Sequence, residues 1–319
     1  MPILDMSLEE LKVYKGINPC PEDFDGYWSR ALKELEGVDP CVEYIPSNFK
    51  VSYADCFDMY FTGVRGARVH AKCLKPKNAS GKNPALIMFH GYRGNCGDWV
   101  EKLPYVAMGF TVVAMDCRGQ GGSSEDVGGT KGTTYGGHII RGLDDDPDNL
   151  MFRHIFLDTV ELARIVMDME DVDAERVGVT GYSQGGALTL ACASLEPRIK
   201  KIAPVYPFLS DYKRVWHMDL AKDAYEELNY YFRFFDPLHE KEEEVFTKLG
   251  YIDVKNLAKY IKSEVLFTAT LLDNICPPST QFAIYNNINS KKSLRIYHDY
   301  GHENLPMTND AVFQFMKEL

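Results

Sequence analysis

The sequence has no cysteine pair at C-x-x-C spacing. Its eight cysteines (Cys20, Cys41, Cys56, Cys73, Cys96, Cys117, Cys192 and Cys276) are scattered along 319 residues. That spacing disfavours a zinc site, which needs closely spaced thiolates, and equally a small disulfide framework. Reduced thiols filling a core are expected, with no metal and no cofactor. Basic charge is also short: 35 Lys and Arg stand against 46 Asp and Glu, a net charge of −11. Without a basic stripe to neutralise phosphates, nucleic acid is not an expected partner. No stretch approaches the ~18 continuous apolar residues of a membrane span. The opening "MPILDMSLEELKVYKGINPC" carries acidic residues where a secretory leader has a basic start and an apolar middle. A cytoplasmic protein with no membrane partner is expected.

What is present is an ordinary globular composition, 45% hydrophobic and 12% aromatic, in a chain long enough to bury a substantial core. From Ala85 onward, short β-branched runs alternate with helical patterns, which is the pattern of βαβ units in a mostly parallel sheet. The strand candidates are Ala85–Phe89, Thr111–Met115, Val177–Thr180, Lys201–Tyr206, Glu264–Thr270 and Leu294–His298. Helical spacing runs through "FRHIFLDTVELARIVMDME", "QGGALTLACASL" and the final "NDAVFQFMKEL". Upstream, residues 1–50 read as a helical segment. Val51–Leu74 reads as antiparallel strands with a turn at "GVRG", where Gly63 and Gly66 can take positive φ. Between residues 208 and 262 there is no good strand but a dense aromatic series. Either it forms a lid, or its helices pack on the main body. The acidic run "LHEKEEEVFTK" within it reads as a solvated helix face. One domain spanning residues 1–319 is expected.

In "RVGVTGYSQGGALTLACASLEP", Ser183 stands where a strand pattern gives way to a helix. G-x-S-x-G in that setting is the nucleophile elbow, with Gly181 and Gly185 leaving room that a Cβ would fill. The helix that begins there aims N–H groups at the reacting oxygen. A serine hydroxyl needs a base to take its proton and an acid to orient that base, in the chain order serine, acid, histidine for an α/β-hydrolase fold. Among eight histidines, His302 lies after the last strand candidate on a glycine-bearing loop near the carboxyl terminus. Asp273 follows "EVLFTATLL" and is the candidate acid. His298 falls inside the strand pattern and is expected to pack, and His90 to shape the loop after its strand. Oxyanion donors are expected at the backbone N–H of Gln184 and in the loop "HGYRG", at Tyr92. "MDCRGQGGSS" reads as a tight loop beneath the site, with Arg118 paired to a buried carboxylate in support.

Four segments, "RGQGG", "GYSQGGAL", "LLDNICPPSTQFAIYN" and "YGHE", together resemble the acetyl xylan esterases and cephalosporin C deacetylases of carbohydrate esterase family seven. The resemblance implies an α/β-hydrolase fold, with Ser183 as nucleophile, Asp273 and His302 as its relay, and Tyr92 with Gln184 as oxyanion donors. It also implies metal-free removal of acetyl groups from small acetylated sugars and from cephalosporin C. Assembly as a hexamer, a dimer of trimers, is implied too, with Val51–Leu74 as a projecting contact segment. Tyr182 stands where many relatives have glycine, and "MFRHIFLDT" replaces a more tyrosine-rich helix start; both bear on substrate preference. A broader carboxylesterase or a peptidase on the same fold is the alternative enzyme reading, and a non-catalytic scaffold the alternative of another class.

Overall fold

Val112 and Val113 are both fully buried yet pack into different hydrophobic layers, because successive side chains of a strand point to opposite faces. Leu86 and Ile87 divide in the same way. Cover on both faces is why these strands read as unbroken apolar runs. The computed structural model describes residues 4–77, 81–127 and 138–319. Its strands are β1 (Glu43–Pro46), β2 (Ala54–Thr62), β3 (Arg68–Pro76), β4 (Asn83–Phe89), β5 (Thr111–Met115), β6 (Val172–Tyr182), β7 (Lys201–Val205), β8 (Glu264–Thr270) and β9 (Lys292–Tyr297). They form one nine-stranded sheet in the order β1-β2-β3-β5-β4-β6-β7-β8-β9. The strands from β5 to β9 in that order pair in parallel, while β1, β2, β3 and the β3–β5 junction are antiparallel. The chain passes from β4 to β5 on one side and then crosses to β6 on the other. This reversal opens a crevice at the carboxyl ends of β4 and β6.

The helices are α1 (Leu8–Leu11), α2 (Phe24–Glu36), α3 (Leu103–Ala107), α4 (Met151–Met167), α5 (Gln184–Leu195), α6 (Tyr212–His217), α7 (Glu226–Phe235), α8 (Glu242–Leu249), α9 (Val254–Leu257), α10 (Pro278–Asn287) and α11 (Thr308–Met316). Helices α4, α5 and α10 cover one face of the sheet, and α3 with α11 the other. Every residue of α5 is buried, which explains its small side chains: a helix starting at the sheet itself must lie close to it. In the 208–262 segment the described residues form no strand. Tyr212, Tyr225, Tyr231 and Phe232 are buried in the main core, while Phe234 is exposed. The segment therefore packs largely onto the body. Among the described residues no helix is long and apolar enough to cross a membrane.

Several elements differ from the sequence reading. Strand β1 has all four residues exposed, so no hydrophobic alternation marks it. Strands β2 and β3, expected to project, are hydrogen-bonded into the main sheet through β5. In the "GVRG" turn Gly63 is extended at φ −88°, and the left-handed positions are Arg65 (φ 59°) and Gly66 (φ 78°). Gly63 is required for another reason: a Cβ there would lie 2.2 Å from the Asp158 carboxylate and 2.8 Å from the Arg118 guanidinium. His298 is exposed, because β9 stops at Tyr297. The chain turns there so that Tyr300 can accept a hydrogen bond from Leu272 N–H at 3.0 Å.

Arg118 and Asp158 are both fully buried. The guanidinium makes two hydrogen bonds to the carboxylate, Nε to Oδ2 at 2.7 Å and Nη2 to Oδ1, and reaches the Val64 carbonyl at 3.3 Å. Removing one partner leaves an uncompensated buried charge, so Arg118→Met is expected to cost about 3–5 kcal/mol in urea unfolding. The double change Arg118→Met with Asp158→Leu is expected to cost clearly less. His154 on α4 bonds the Asp148 carbonyl at 2.9 Å. Burial, with Arg118 and Arg65 nearby, pushes its pKa down to about 3. Below pH ~6.5 the unfolded chain gains a proton there that the folded chain refuses, so stability falls as pH drops toward 3. His154→Gln is expected to flatten that part of the stability–pH curve.

Candidate active site

The turn from β6 into α5 is too tight for side chains. A Cβ on Gly181 would lie 2.5 Å from the Gly185 carbonyl carbon, and one on Gly185 would lie 2.1 Å from the Phe89 carbonyl oxygen at the end of β4. Ser183 sits at φ 55°, ψ −117°, a conformation that L-residues avoid, and is nearly buried at 8% exposure. Strain is retained here because it turns the side chain out of the strand and leaves the first amides of α5 open. Among the described residues, neither the Gln184 N–H nor the Tyr92 N–H donates to a protein acceptor. The two are coupled by their surroundings. The Gln184 side chain exchanges hydrogen bonds with the Gln120 amide, at 2.7 and 3.1 Å, and Gln120 Oε1 accepts the Arg93 N–H at 2.8 Å.

Asp273 is fully buried in the loop after β8. Its Oδ1 accepts the Ile275 and Cys276 N–H groups at 2.9 and 2.8 Å, and its Oδ2 meets His302 Nδ1 at 2.8 Å. That contact assigns the proton to Nδ1 and leaves Nε2 as the basic nitrogen. The Cys276 thiol neighbours the Ser183 hydroxyl, and burial pushes its pKa up. The Cys276 sulfur, an Asp273 oxygen and a His302 nitrogen lie within 4.8 Å of one another. Ser183, Asp273 and His302 are thus gathered around one sulfur. Among the described residues no hydrogen bond joins the serine hydroxyl to His302.

Tyr206, just past β7, is held at φ 31°, and its ring lies 4.7 Å from that of His302. Tyr182 packs edge-on against Tyr206 at 5.8 Å, and its hydroxyl donates to Asn309 on α11. Beside these rings, on the α3/α11 side, lies a cavity of about 980 Å³ bordered by Tyr105, Tyr182, Tyr206, Asn304, Asn309 and Phe313.

The remaining sequence-predicted residues support these loops. His90 Nε2 accepts the Cys117 N–H at 2.9 Å, so its Nδ1 donates to the Gly91 carbonyl at 2.7 Å. Burial works against the charge of Asp116. His70, at 2.7 Å, and the N–H groups of Cys96 and Ser123 nevertheless hold its carboxyl well below the usual range. His70, Cys96 and Asp116 form a second group whose ligand atoms come within 4.8 Å of one another. In both groups the histidine and aspartate are bonded directly to each other.

Sequence reasoning missed Glu227, Cys276 and Tyr206. Glu227 on α7 is fully buried and accepts the Tyr92 hydroxyl and the Ile139 N–H. An acidic pair opening a helix carries no sign of burial, since acids favour that position anyway. Cys276 lay inside a quoted segment, but only the fold sets its sulfur against Ser183. Gly185→Ala is expected to cost about 1–3 kcal/mol through overpacking. By displacing the elbow it is also expected to lower kcat on any substrate of this site by about 100-fold.

The acetyl xylan esterase (AXE1) family matches residues 1–319. The chain is similar to acetyl xylan esterase 1 of Thermoanaerobacterium, whose crystal structure shares 65% identity and superposes with a TM-score of 0.97, covering 99% of each chain. The acetyl xylan esterase of Paenibacillus sp. R4 shares 35% identity at a TM-score of 0.94, over 98% of this chain and 99% of that one. Among curated proteins, the acetyl esterase Axe7A of Xylanibacter ruminicola is 30% identical, over 96% of this chain and 69% of its own length. A Pyrococcus horikoshii acylaminoacyl peptidase, 16% identical with a TM-score of 0.58, covering 84% of this chain and 41% of that one, shares the fold alone. The chain belongs to the acetyl xylan esterase family of carboxylic ester hydrolases.

Proposed function

We propose that this esterase removes O-acetyl groups from small acetylated sugars through an acetyl-enzyme on Ser183. The observation that carries the reading is the strained serine beside a buried carboxylate–imidazole pair and two open amides. The Ser183 hydroxyl attacks the acetyl carbonyl while His302 Nε2 takes its proton. Asp273 keeps the imidazole oriented and stabilises its positive charge. The N–H groups of Gln184 and Tyr92 receive the developing oxyanion, each such donor being worth about 3 kcal/mol in the transition state. His302 returns the proton to the departing sugar oxygen, and water then repeats the sequence to release acetate.

Aromatic packing behind the nucleophile supports a short acyl group. Phe208 N–H bonds the Ser183 carbonyl at 3.1 Å, and its ring is pressed between Tyr92 at 5.5 Å and Tyr225 at 4.5 Å. The Tyr206 ring, 4.7 Å from that of His302, supports a sugar on the leaving-group side, since an aromatic face suits the apolar face of a sugar ring. Acetylated xylooligosaccharides and cephalosporin C-like acetyl esters are the proposed substrates. We extend to this chain the hexameric assembly implied by its sequence resemblance; the exposed β1 at the end of the sheet supports a contact between copies.

Activity is to be measured on 4-nitrophenyl esters of increasing acyl length and on an acetylated xylooligosaccharide. A steep fall beyond acetyl is expected, whereas flat activity indicates a broad carboxylesterase. Cleavage of peptide substrates points to a peptidase, and inactivity throughout to a scaffold. Ser183→Ala is expected to remove activity by roughly a million-fold.

A further inference from the structure

Glu227 is a carboxyl group buried with no Lys or Arg partner among the described residues, and burial pushes its pKa up. An unpaired buried carboxylate is costly, so it persists where its oxygens do something no apolar residue can. Both oxygens are occupied, and each by a different loop. Oε1 accepts the hydroxyl of Tyr92, while Oε2 accepts the N–H of Ile139 at 2.6 Å and lies 3.3 Å from that of Ile140. Next to it, Glu226 pairs with Arg93 at 3.1 Å. Two consecutive acids of α7 thus grip two consecutive residues of the loop whose Tyr92 N–H faces the site. His138 closes the group, with Nδ1 3.4 Å from the Tyr92 hydroxyl and Nε2 on the Gly119 carbonyl at 3.0 Å.

We propose that Glu227 is a positioning residue for the oxyanion donor: by holding the Tyr92 phenol, it fixes the Tyr92 backbone N–H at the depth where the tetrahedral oxygen forms. This rests on the acetyl-enzyme reading above. It gives the helical insertion a role in the chemical step. The phenol is the handle, since it is the part of Tyr92 that hydrogen-bonds Glu227. An oxyanion donor acts only when charge develops, so a displaced Tyr92 amide slows the chemical step while leaving ground-state binding nearly intact.

The test compares Glu227→Gln, Tyr92→Phe and the double variant on 4-nitrophenyl acetate, with thermal midpoints recorded for each. Each single change is expected to lower kcat by about 10- to 100-fold, as a small displacement of a catalytic group does. KM is expected to stay within about threefold, as for loss of a contact made only in the transition state. The double variant is expected to be no slower than the slower single, because both changes act on the same hydrogen bond, Glu227→Gln by weakening its acceptor and Tyr92→Phe by removing its donor. Should Glu227→Gln fail to fold, Tyr92→Phe decides alone, since it breaks that bond from the other end and keeps the ring. Full kcat in folded Tyr92→Phe, losses that multiply in the double variant, or a loss confined to KM overturns the proposal. The reading beneath it fails differently: the unaltered protein would lack acetyl esterase activity, or Ser183→Ala would retain it.

Discussion

The site depends on one steric constraint, the contact of a Cβ-free residue with a neighbouring backbone. Gly185 approaches the Phe89 carbonyl so closely that any side chain would overlap it. That contact brings the turn after β6 against the end of β4, and so sets the first amide of α5 beside the loop that carries Tyr92. The same device recurs around it. Gly121 donates to the Gly94 carbonyl at 3.0 Å, and a Cβ on it would lie 2.7 Å from the Arg93 carbonyl. Three loops from three strand ends are therefore locked backbone to backbone, and their amides stay fixed while charge moves through the site.

Beneath these loops lie buried charges. The Arg118–Asp158 pair and the His70–Asp116 contact anchor the first residues of the segment that follows β5, and Asp116 in turn holds the amides of Cys96 and Ser123. Charge in a core is poor value as stability, because desolvation consumes most of the attraction. Its gain here is geometric: a bidentate guanidinium fits one arrangement of its partner, which apolar packing does not enforce as narrowly.

The sheet's parallel half was legible because its signal is local. Strands β5 and β8 and helix α5 coincide with the runs read from the sequence, since unbroken β-branched stretches and a glycine-marked helix start leave few alternatives. Ser183, Asp273 and His302 were legible because each follows such a strand. What was not legible depends on partners distant in sequence. Gly63 carries a turn-forming residue's signature but is required for clearance above Asp158. His298 obeys a strand pattern that the chain abandons one residue earlier to bring Tyr300 back onto Leu272. Glu227 looks like any acid opening a helix, and only its contacts with two loops more than 80 positions away make it unusual.

The long aromatic segment leaves the sheet at the end of β7 and returns on β8, which is its immediate neighbour. Its two ends are therefore held a strand's width apart whatever lies between them. Closing a loop whose ends are already pinned costs only a slowly growing, logarithmic penalty as residues are added. The segment can thus be rebuilt, lengthened or trimmed with little strain on the sheet to which it is tied. In this architecture one long stretch of chain can diverge in length and sequence while the strands on either side of it keep their pairing.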